Sequence, residues 1–78
     1  MTYQAFLTAM AELLEVETKD LKDNYELNSD NYDSVVVVST IALIDEYFDI
    51  TVKGIELAKA KSIGELLALI QQTKEGNA

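Results

Sequence analysis

The 78-residue sequence contains no cysteine, no histidine and no arginine. Without cysteine, neither a disulfide nor a thiolate zinc site can stabilise the fold. Without histidine, the chain lacks the usual acid/base group of neutral pH and the commonest metal ligand. These absences exclude Ser/His/Asp triads, Cys/His dyads and zinc hydrolase sites. We therefore expect no enzymatic activity, no catalytic residue and no bound metal, in a single domain that spans residues 1–78.

The sequence also has no long hydrophobic run. Its longest apolar stretch, residues 35–44, is interrupted by Ser39 and Thr40 and is too short to span a bilayer. The N-terminus lacks the basic region of a signal peptide. These features predict a cytoplasmic monomer without stable membrane insertion.

Positive charge is scarce, because six lysines face fourteen Asp and Glu residues and the net charge is −8. The imbalance is concentrated in residues 1–49, where eleven acids and two lysines give −9, whereas residues 50–78 carry +1. Such a field repels phosphate backbones and anionic membranes, so we expect no nucleic-acid partner. It favours a basic protein surface as the partner.

Two segments of the N-terminal half have clear patterns. A first helix is predicted from Thr2, its N-cap, to about Val16, because apolar residues recur at spacings of three and four. Its apolar stripe is formed by Phe6, Leu7, Met10, Leu13 and Leu14. The polar residues 17–32 predict a long loop. Its expected anchors to the core are Leu21, Tyr25, Leu27 and Tyr32.

The C-terminal half predicts three further helices. Residues 34–48 contain strand-forming valines, yet an apolar series at helical spacing favours a helix whose packing overrides propensity. That series is Val38, Ile41, Ile44 and Phe48. Gly54 precedes a short helix over residues 55–60. Ser62 and Glu65 form a capping-box pattern before a last helix that ends near Thr73, and the polar tail 74–78 should fray. The sum is an all-α fold with three main helices, a short third helix and a long first loop.

Two acidic features are weak candidates for a site. Loops that start at Asp23, Asp30 or Asp33 lack the glutamate that an EF-hand requires at its twelfth position. We therefore interpret the acidic loop as a solvated surface. The neighbours Asp45 and Glu46 point about 100° apart on a helix, so they do not form an acid/base pair.

Asp33 and Ser34 lie where the long loop meets the second main helix. Asp33 suits the N-cap, where its carboxylate accepts backbone N–H bonds from the first turn. Ser34 then occupies the first helical position, with its hydroxyl exposed at the positive end of the helix dipole. Such a position suits a covalently attached phosphate, although most Asp-Ser pairs at a helix start are plain caps.

From Asp33 to Ile70 the sequence resembles an acyl carrier protein. The family pattern is Asp-Ser-Leu, a long helix that ends in acidic residues and Phe-Asp, a short helix and a final helix. Here it is matched without a gap by DSVVVVSTIALIDEYFDITVKGIELAKAKSIGELLALI. Residues 14–16 also resemble the end of the family's first helix, so the likeness covers nearly the whole chain. It implies a small four-helix bundle of the acyl-carrier type.

The resemblance implies a covalent cofactor and a set of partners. A phosphopantetheinyl transferase would attach 4′-phosphopantetheine to Ser34, with Asp33 as helix cap and transferase-recognition residue. The arm would carry acyl groups as thioesters between acyl-loading and acyl-transferring enzymes. The acyl chain would be sheltered between the helices by Ile41, Ile44, Phe48, Val52, Leu57 and Leu66. Partner enzymes would bind an outward helix face formed by Val35, Val36, Ser39, Ala42, Asp45 and Glu46.

Departures from the family pattern bear on the partners. Val35 replaces the common leucine after the serine, and Asn31-Tyr32 replaces a frequent Leu-Gly pair, so the end of the loop is expected to fold differently. The outward face lacks the row of acids typical of family members in fatty acid synthesis. Lysines stand around the short helix where acids are frequent, namely Lys53, Lys59 and Lys61. Because rim charge tunes encounter rate and partner choice, we expect dedicated partners from a specialised lipid or secondary-metabolite pathway.

Two alternatives stay open. An aminoacyl or D-alanyl carrier protein would load the same arm at the same Asp-Ser pair. A small acidic helical inhibitor, similar to an immunity protein or an antitoxin, would cover a basic site on its partner. The inhibitor needs no modification, so Ser34→Ala would leave its function intact.

Overall fold

A computed structural model describes residues 3–76 of the chain. Four α-helices follow one another, and a short 3₁₀ turn lies within the first loop. The helices are α1 (Tyr3–Leu14), α2 (Ser34–Phe48), α3 (Gly54–Leu57) and α4 (Ile63–Gly76), and the turn spans Thr18–Asp20. The predicted all-α fold, with three main helices and a short third helix, is confirmed.

Helix α1 packs its apolar stripe into the core through Phe6 and Met10, both fully buried. It ends at Leu14, two residues before the predicted end, because Glu15 adopts a left-handed conformation with φ 61°. The chain then turns back, and the Val16 N–H donates to the Ala11 carbonyl at 2.9 Å. The predicted N-cap Thr2 lies outside the described residues.

Helix α2 forms as predicted, but its buried face differs from the predicted series. The buried residues are Val37, Thr40 and Ile44, whereas Val38 is 65% exposed. Thr40 is tolerated in the core because its hydroxyl donates to the Val36 carbonyl at 2.7 Å. The series therefore predicts the helix correctly but does not follow its buried face at Val38, because a run of four valines offers no compositional contrast between inner and outer positions.

The long loop is fastened to the start of α4 by backbone hydrogen bonds. Asp23, Tyr25 and Leu27 pair with residues 61–64 through three bonds of 2.8–3.0 Å. Side chains add to this attachment, since the predicted anchors Leu21, Leu27 and Tyr32 are buried and Tyr25 packs against the core. The loop is therefore an ordered part of the fold.

The last two helices differ from their predicted limits. Helix α3 begins at Gly54 and ends at Leu57, so it is shorter than the predicted 55–60. The Ser62 hydroxyl caps α4 by accepting the Glu65 N–H at 3.2 Å, but the Glu65 carboxylate accepts from Lys61 rather than closing the reciprocal capping box.

Helix α4 continues to Gly76, three residues beyond the predicted end. Its last turn is held because the Lys74 ammonium lies 5.7 Å from the Tyr3 ring centre and 5.3 Å from the Phe48 ring centre. The fraying expected of the tail stays a prediction, and residues 77 and 78 lie outside the described part of the chain. Among residues 3–76, no helix combines the length and apolar character needed to cross a membrane.

Candidate functional site

Ser34 is the first residue of α2 and is exposed. The preceding Asp33 has extended backbone angles, and its carboxylate oxygen Oδ1 accepts the Val36 N–H at 3.0 Å. Asp33 is thus the predicted N-cap, and Ser34 occupies the predicted first helical position. The cap fixes the direction in which the chain enters the helix and leaves the Ser34 hydroxyl open to solvent.

The start of α2 has the chemistry that a covalently bound phosphate requires. Helix geometry leaves the N–H groups of Ser34 and Val35 without partners inside the helix. Together with the helix dipole, these groups favour an anion at the first turn. At the first turn of α2, the free N–H groups and the helix dipole therefore partly offset the negative charge of Asp33 and of the acidic loop.

The turn before Asp33 is built around two asparagines. The Asn28 side-chain oxygen accepts the N–H groups of Asp30 and Asn31 at 2.9 and 3.2 Å. In return, the Asn31 side chain accepts the Asn28 N–H at 2.8 Å and donates to the Glu26 carbonyl at 3.0 Å. These hydrogen bonds explain why asparagine stands at position 31 in place of the leucine of the family pattern, because a leucine side chain could form neither bond of the Asn31 amide.

Tyr32 connects this turn to α3. Its side chain is buried, and its hydroxyl donates to the Leu57 carbonyl at 2.8 Å. Desolvation by burial raises the pKa of the Tyr32 hydroxyl to about 12, so it remains a hydrogen-bond donor over the whole physiological range. Tyr32 lies two residues before Ser34, and its hydrogen bond attaches this turn to the last residue of α3.

The outward face of α2 is more apolar than the predicted set. Val35, Ala42, Asp45 and Glu46 are exposed as predicted. Val36 and Ser39 are half-buried, and Val36 packs against the core. They lie at the border of this face, on the side of Thr40, and their role toward a partner stays a prediction.

Two exposed apolar residues were missed. Val38 lies between Val35 and Ala42 at spacings of three and four, which places all three on one face. Ile55 of α3 is 71% exposed. Val38 lies seven residues, or two helical turns, before the exposed Asp45, and this spacing could have identified it as exposed. The four residues of α3 are too few for a periodic pattern that would identify Ile55 as exposed.

The six residues expected to shelter an acyl chain all belong to the core or pack against it. Ile44, Leu57 and Leu66 are fully buried and Val52 is nearly so. Ile41 and Phe48 are half-buried, and the Phe48 ring centre lies 5.3 Å from that of Tyr3 and 5.4 Å from that of Phe6. These side chains stabilise the bundle in the structure, and their role toward an acyl chain stays a prediction.

Metal chemistry finds no support in the described ranges. Within residues 3–76, no three His, Cys, Asp or Glu side chains lie close enough together to hold a metal ion. The acids of the loop are exposed, and among residues 17–32 one ion pair is found, an exposed contact of 3.4 Å between Glu17 and Lys19. Such a contact contributes little to stability.

Comparison with known proteins identifies one family. A family model described as phosphopantetheine attachment site matches residues 4–70. The match spans α1 from its second residue, the loop, the Asp33-Ser34 pair, α2, α3 and the first eight residues of α4. No curated protein matches the chain significantly.

Proposed function

The chain belongs to the phosphopantetheine attachment site family, and from this premise we propose that Ser34 is the residue that carries the prosthetic group. Domains of this family are non-catalytic carriers with a covalently attached 4′-phosphopantetheine. The observation that carries the assignment to Ser34 is its exposed hydroxyl at the capped start of α2. The arm supplies a thiol, which this cysteine-free chain lacks, and the thiol holds acyl groups as thioesters.

In this function the residues of the chain accept the prosthetic group and present its attachment site to the transferase. The Ser34 hydroxyl oxygen would form a bond to the phosphorus that carries the pantetheine in coenzyme A, while the P–O bond of the pyrophosphate breaks. The product 3′,5′-ADP leaves, and the hydroxyl proton passes to a base of the transferase. Asp33 holds the first turn of α2 and offers a carboxylate to the phosphopantetheinyl transferase. Asn31 and Tyr32 fix the turn that presents both residues.

We assign the partner surface to the exposed apolar residues of α2 and α3. Val35, Val38 and Ile55 are 72%, 65% and 71% exposed, and an apolar partner surface would cover them. Asp45 and Glu46 lie at the far end of α2, where they would meet basic residues. This mixture fits acyl-loading and acyl-transferring enzymes of a specialised lipid or secondary-metabolite pathway, acting on a cytoplasmic monomer.

The attachment site is tested by intact mass. The protein, Ser34→Ala and Thr8→Ala are incubated separately with a broad-specificity phosphopantetheinyl transferase, coenzyme A and magnesium. We expect the wild type and Thr8→Ala to gain one phosphopantetheine and Ser34→Ala to gain none. Thr8→Ala removes an exposed hydroxyl from α1, so it controls for the substitution itself.

Two results would contradict the assignment. A gain by Ser34→Ala would place the arm on another residue. No gain by folded wild type, beside a control carrier that is modified, would leave Asp33-Ser34 as a helix cap and favour the acidic inhibitor.

Partner choice is tested by adding charge to α2. Val38→Glu replaces an exposed residue, so the fold should tolerate it. We expect it to raise the rate of acyl transfer by a fatty acid synthase acyltransferase, because that class of enzyme offers basic patches. Gln72→Glu adds the same charge to the exposed surface of α4 and should leave the rate unchanged. Equal rates for all three proteins would argue against a charge-based choice of partner.

A further inference from the structure

The turn of residues 28–32 leads to the attachment site and is closed by hydrogen bonds of its first residue. The Asn28 side-chain oxygen accepts the N–H groups of Asp30 and Asn31 at 2.9 and 3.2 Å. The backbone takes part as well, since the Asn28 carbonyl accepts the Tyr32 N–H at 2.7 Å and the Asn28 N–H donates to the Asn31 side chain at 2.8 Å. One residue therefore bonds to three of the four that follow it in the turn.

Contacts with α3 and with the segment after it hold both ends of this turn. At its beginning, the Leu27 N–H donates to the Lys61 carbonyl at 2.9 Å. At its end, the Tyr32 hydroxyl donates to the Leu57 carbonyl at 2.8 Å. Leu27 and Tyr32 are also buried, so neither end can move without loss of core packing. The ends are thus fixed by the core, and the path between them is fixed by Asn28.

Core packing does not explain the hydrogen bonds of Asn28, because this residue is exposed. Hydrogen bonds between exposed groups contribute little to the free energy of unfolding, since water replaces them when they break. They do select one backbone conformation. Without them, residues 29–31 would be free to adopt other backbone angles between the fixed ends of the turn. The main effect of the Asn28 side chain is therefore on the shape of the turn.

The shape of this turn bears directly on the surroundings of Ser34. Ser34 follows Tyr32 by two residues, so their Cα atoms are at most about 7 Å apart. Asp33, which lies between them, is held by the Val36 N–H at 3.0 Å as the N-cap of α2. An enzyme that binds at Ser34 therefore meets the ordered turn on one side of the hydroxyl and the ordered start of α2 on the other.

From these contacts we infer that Asn28 is a positioning residue for the transfer of phosphopantetheine to Ser34. The inference rests on the proposed attachment at Ser34, and it makes the turn of residues 28–32 part of the surface that the transferase recognises. Because Asn28 orders this turn before the transferase arrives, association does not carry the entropic cost of ordering it. Loss of the Asn28 side chain would restore that cost. The cost weakens the binding of substrate and transition state equally, so it raises KM and leaves kcat unchanged.

The test measures the kinetics of the transfer with a broad-specificity phosphopantetheinyl transferase, at saturating coenzyme A and varied concentrations of the protein. Asn28→Ala removes the accepting oxygen, and we expect KM to rise about three- to tenfold with kcat unchanged. Asn28→Asp keeps that oxygen and should not raise KM. Asn24→Ala changes an exposed asparagine of the same loop outside the turn, so this control should keep wild-type kinetics.

Backbone NMR relaxation of the unmodified protein gives a second readout that does not depend on the transferase. The heteronuclear NOE of residues 29–32 should fall in Asn28→Ala, because the turn loses its internal bonds. It should stay at the wild-type value in Asn28→Asp and Asn24→Ala. Circular dichroism at the assay temperature verifies that each variant is folded.

Several results would overturn the positioning role of Asn28. These are a wild-type KM in Asn28→Ala, an equal rise of KM in Asn28→Asp or Asn24→Ala, a fall in kcat alone, and a rise in KM without loss of order in the turn. Failure of the folded wild type to load at all, beside a control carrier that is modified, would instead overturn the attachment at Ser34 and the positioning role with it.

Discussion

The phenol of Tyr32 connects the turn before Ser34 to α3. Tyr32 is buried and donates its hydroxyl proton to the Leu57 carbonyl, across 25 positions of sequence. That carbonyl lies at the end of a helix of four residues, where the last carbonyls have no partners inside the helix. The Leu57 carbonyl also accepts the Ala60 N–H at 3.1 Å, so the Tyr32 hydroxyl is its second donor and connects the turn before Ser34 to α3.

Tyr32→Phe removes this bond while keeping the ring. We expect the free energy of unfolding to fall by about 1 kcal/mol, because the Leu57 carbonyl loses the shorter of its two hydrogen bonds and keeps only the one from the Ala60 N–H. Urea denaturation at neutral pH measures the change. Tyr25→Phe is the matched control on the same loop, and an equal loss in both variants would contradict a special role for Tyr32.

The same bond predicts a dependence on alkaline pH. Because burial raises the pKa of Tyr32 from 10.0 to about 12, its contribution to stability is complete below pH 10 and is lost as the pH rises through 12. In urea denaturation across this range, the wild type should lose its advantage over Tyr32→Phe. A constant difference between the two proteins up to pH 12 would show that the hydroxyl does not titrate as stated.

At the level of the elements, the long loop is held by the start of α4. The Gly64 N–H donates to the Asp23 carbonyl at 2.8 Å, the shortest of the three bonds between these segments. A Cβ atom at Gly64 would lie 3.0 Å from the same carbonyl oxygen and 3.3 Å from the Asp23 Cβ. This close approach explains a glycine in the first turn of α4, where an alanine would favour the helix.

Gly64→Ala should displace the loop from α4 by a few tenths of an ångström. We expect a loss of about 1–3 kcal/mol in the free energy of unfolding, because the Asp23 carbonyl, which accepts the Gly64 N–H, must move. Gly76→Ala is the control, since a Cβ there meets nothing within 4 Å. Thermal and urea denaturation of both variants would measure the contrast. Equal free energies of unfolding for Gly64→Ala and Gly76→Ala would mean that the loop accommodates the added methyl group without loss of stability.

Prediction from sequence succeeded where the relevant contacts are local. The periodicity of α1, α2 and α4 and the cap at Asp33 all depend on residues within one or two turns of each other. The exposure of Val38, the Tyr32–Leu57 bond and the early end of α3 depend instead on contacts between distant segments. The attachment of the long loop to the start of α4 is of this second kind, because Leu27 and Lys61 pair only in the folded chain.

For the molecule as a whole, the charge distribution opposes folding. The described chain measures 32 × 24 × 20 Å, so the excess of negative charge is confined to two or three Debye lengths, each about 10 Å at 0.1 M salt. The ion pairs found, Lys19–Glu17 and Lys59–Glu56, are exposed and offset little of this repulsion. Stability should therefore depend on ionic strength more than on any single pair.

Added salt should raise the melting temperature. Between about 0.02 M and about 0.2 M sodium chloride we expect an increase of several degrees, because screening relieves repulsion in the folded state. Thermal unfolding followed by circular dichroism measures it. A melting temperature insensitive to salt would contradict the argument. A much larger increase with magnesium or calcium at equal ionic strength would indicate cation binding by the acidic loop.

The fastening of the long loop also has a consequence for protein synthesis. The turn before Ser34 takes its shape from Leu57, and the loop behind it from residues 61–64. A nascent chain whose residues 57–64 are still inside the ribosome lacks both supports, although Ser34 is closer to the exit. The turn before Ser34 therefore reaches its folded form only after residues 57–64 have also emerged.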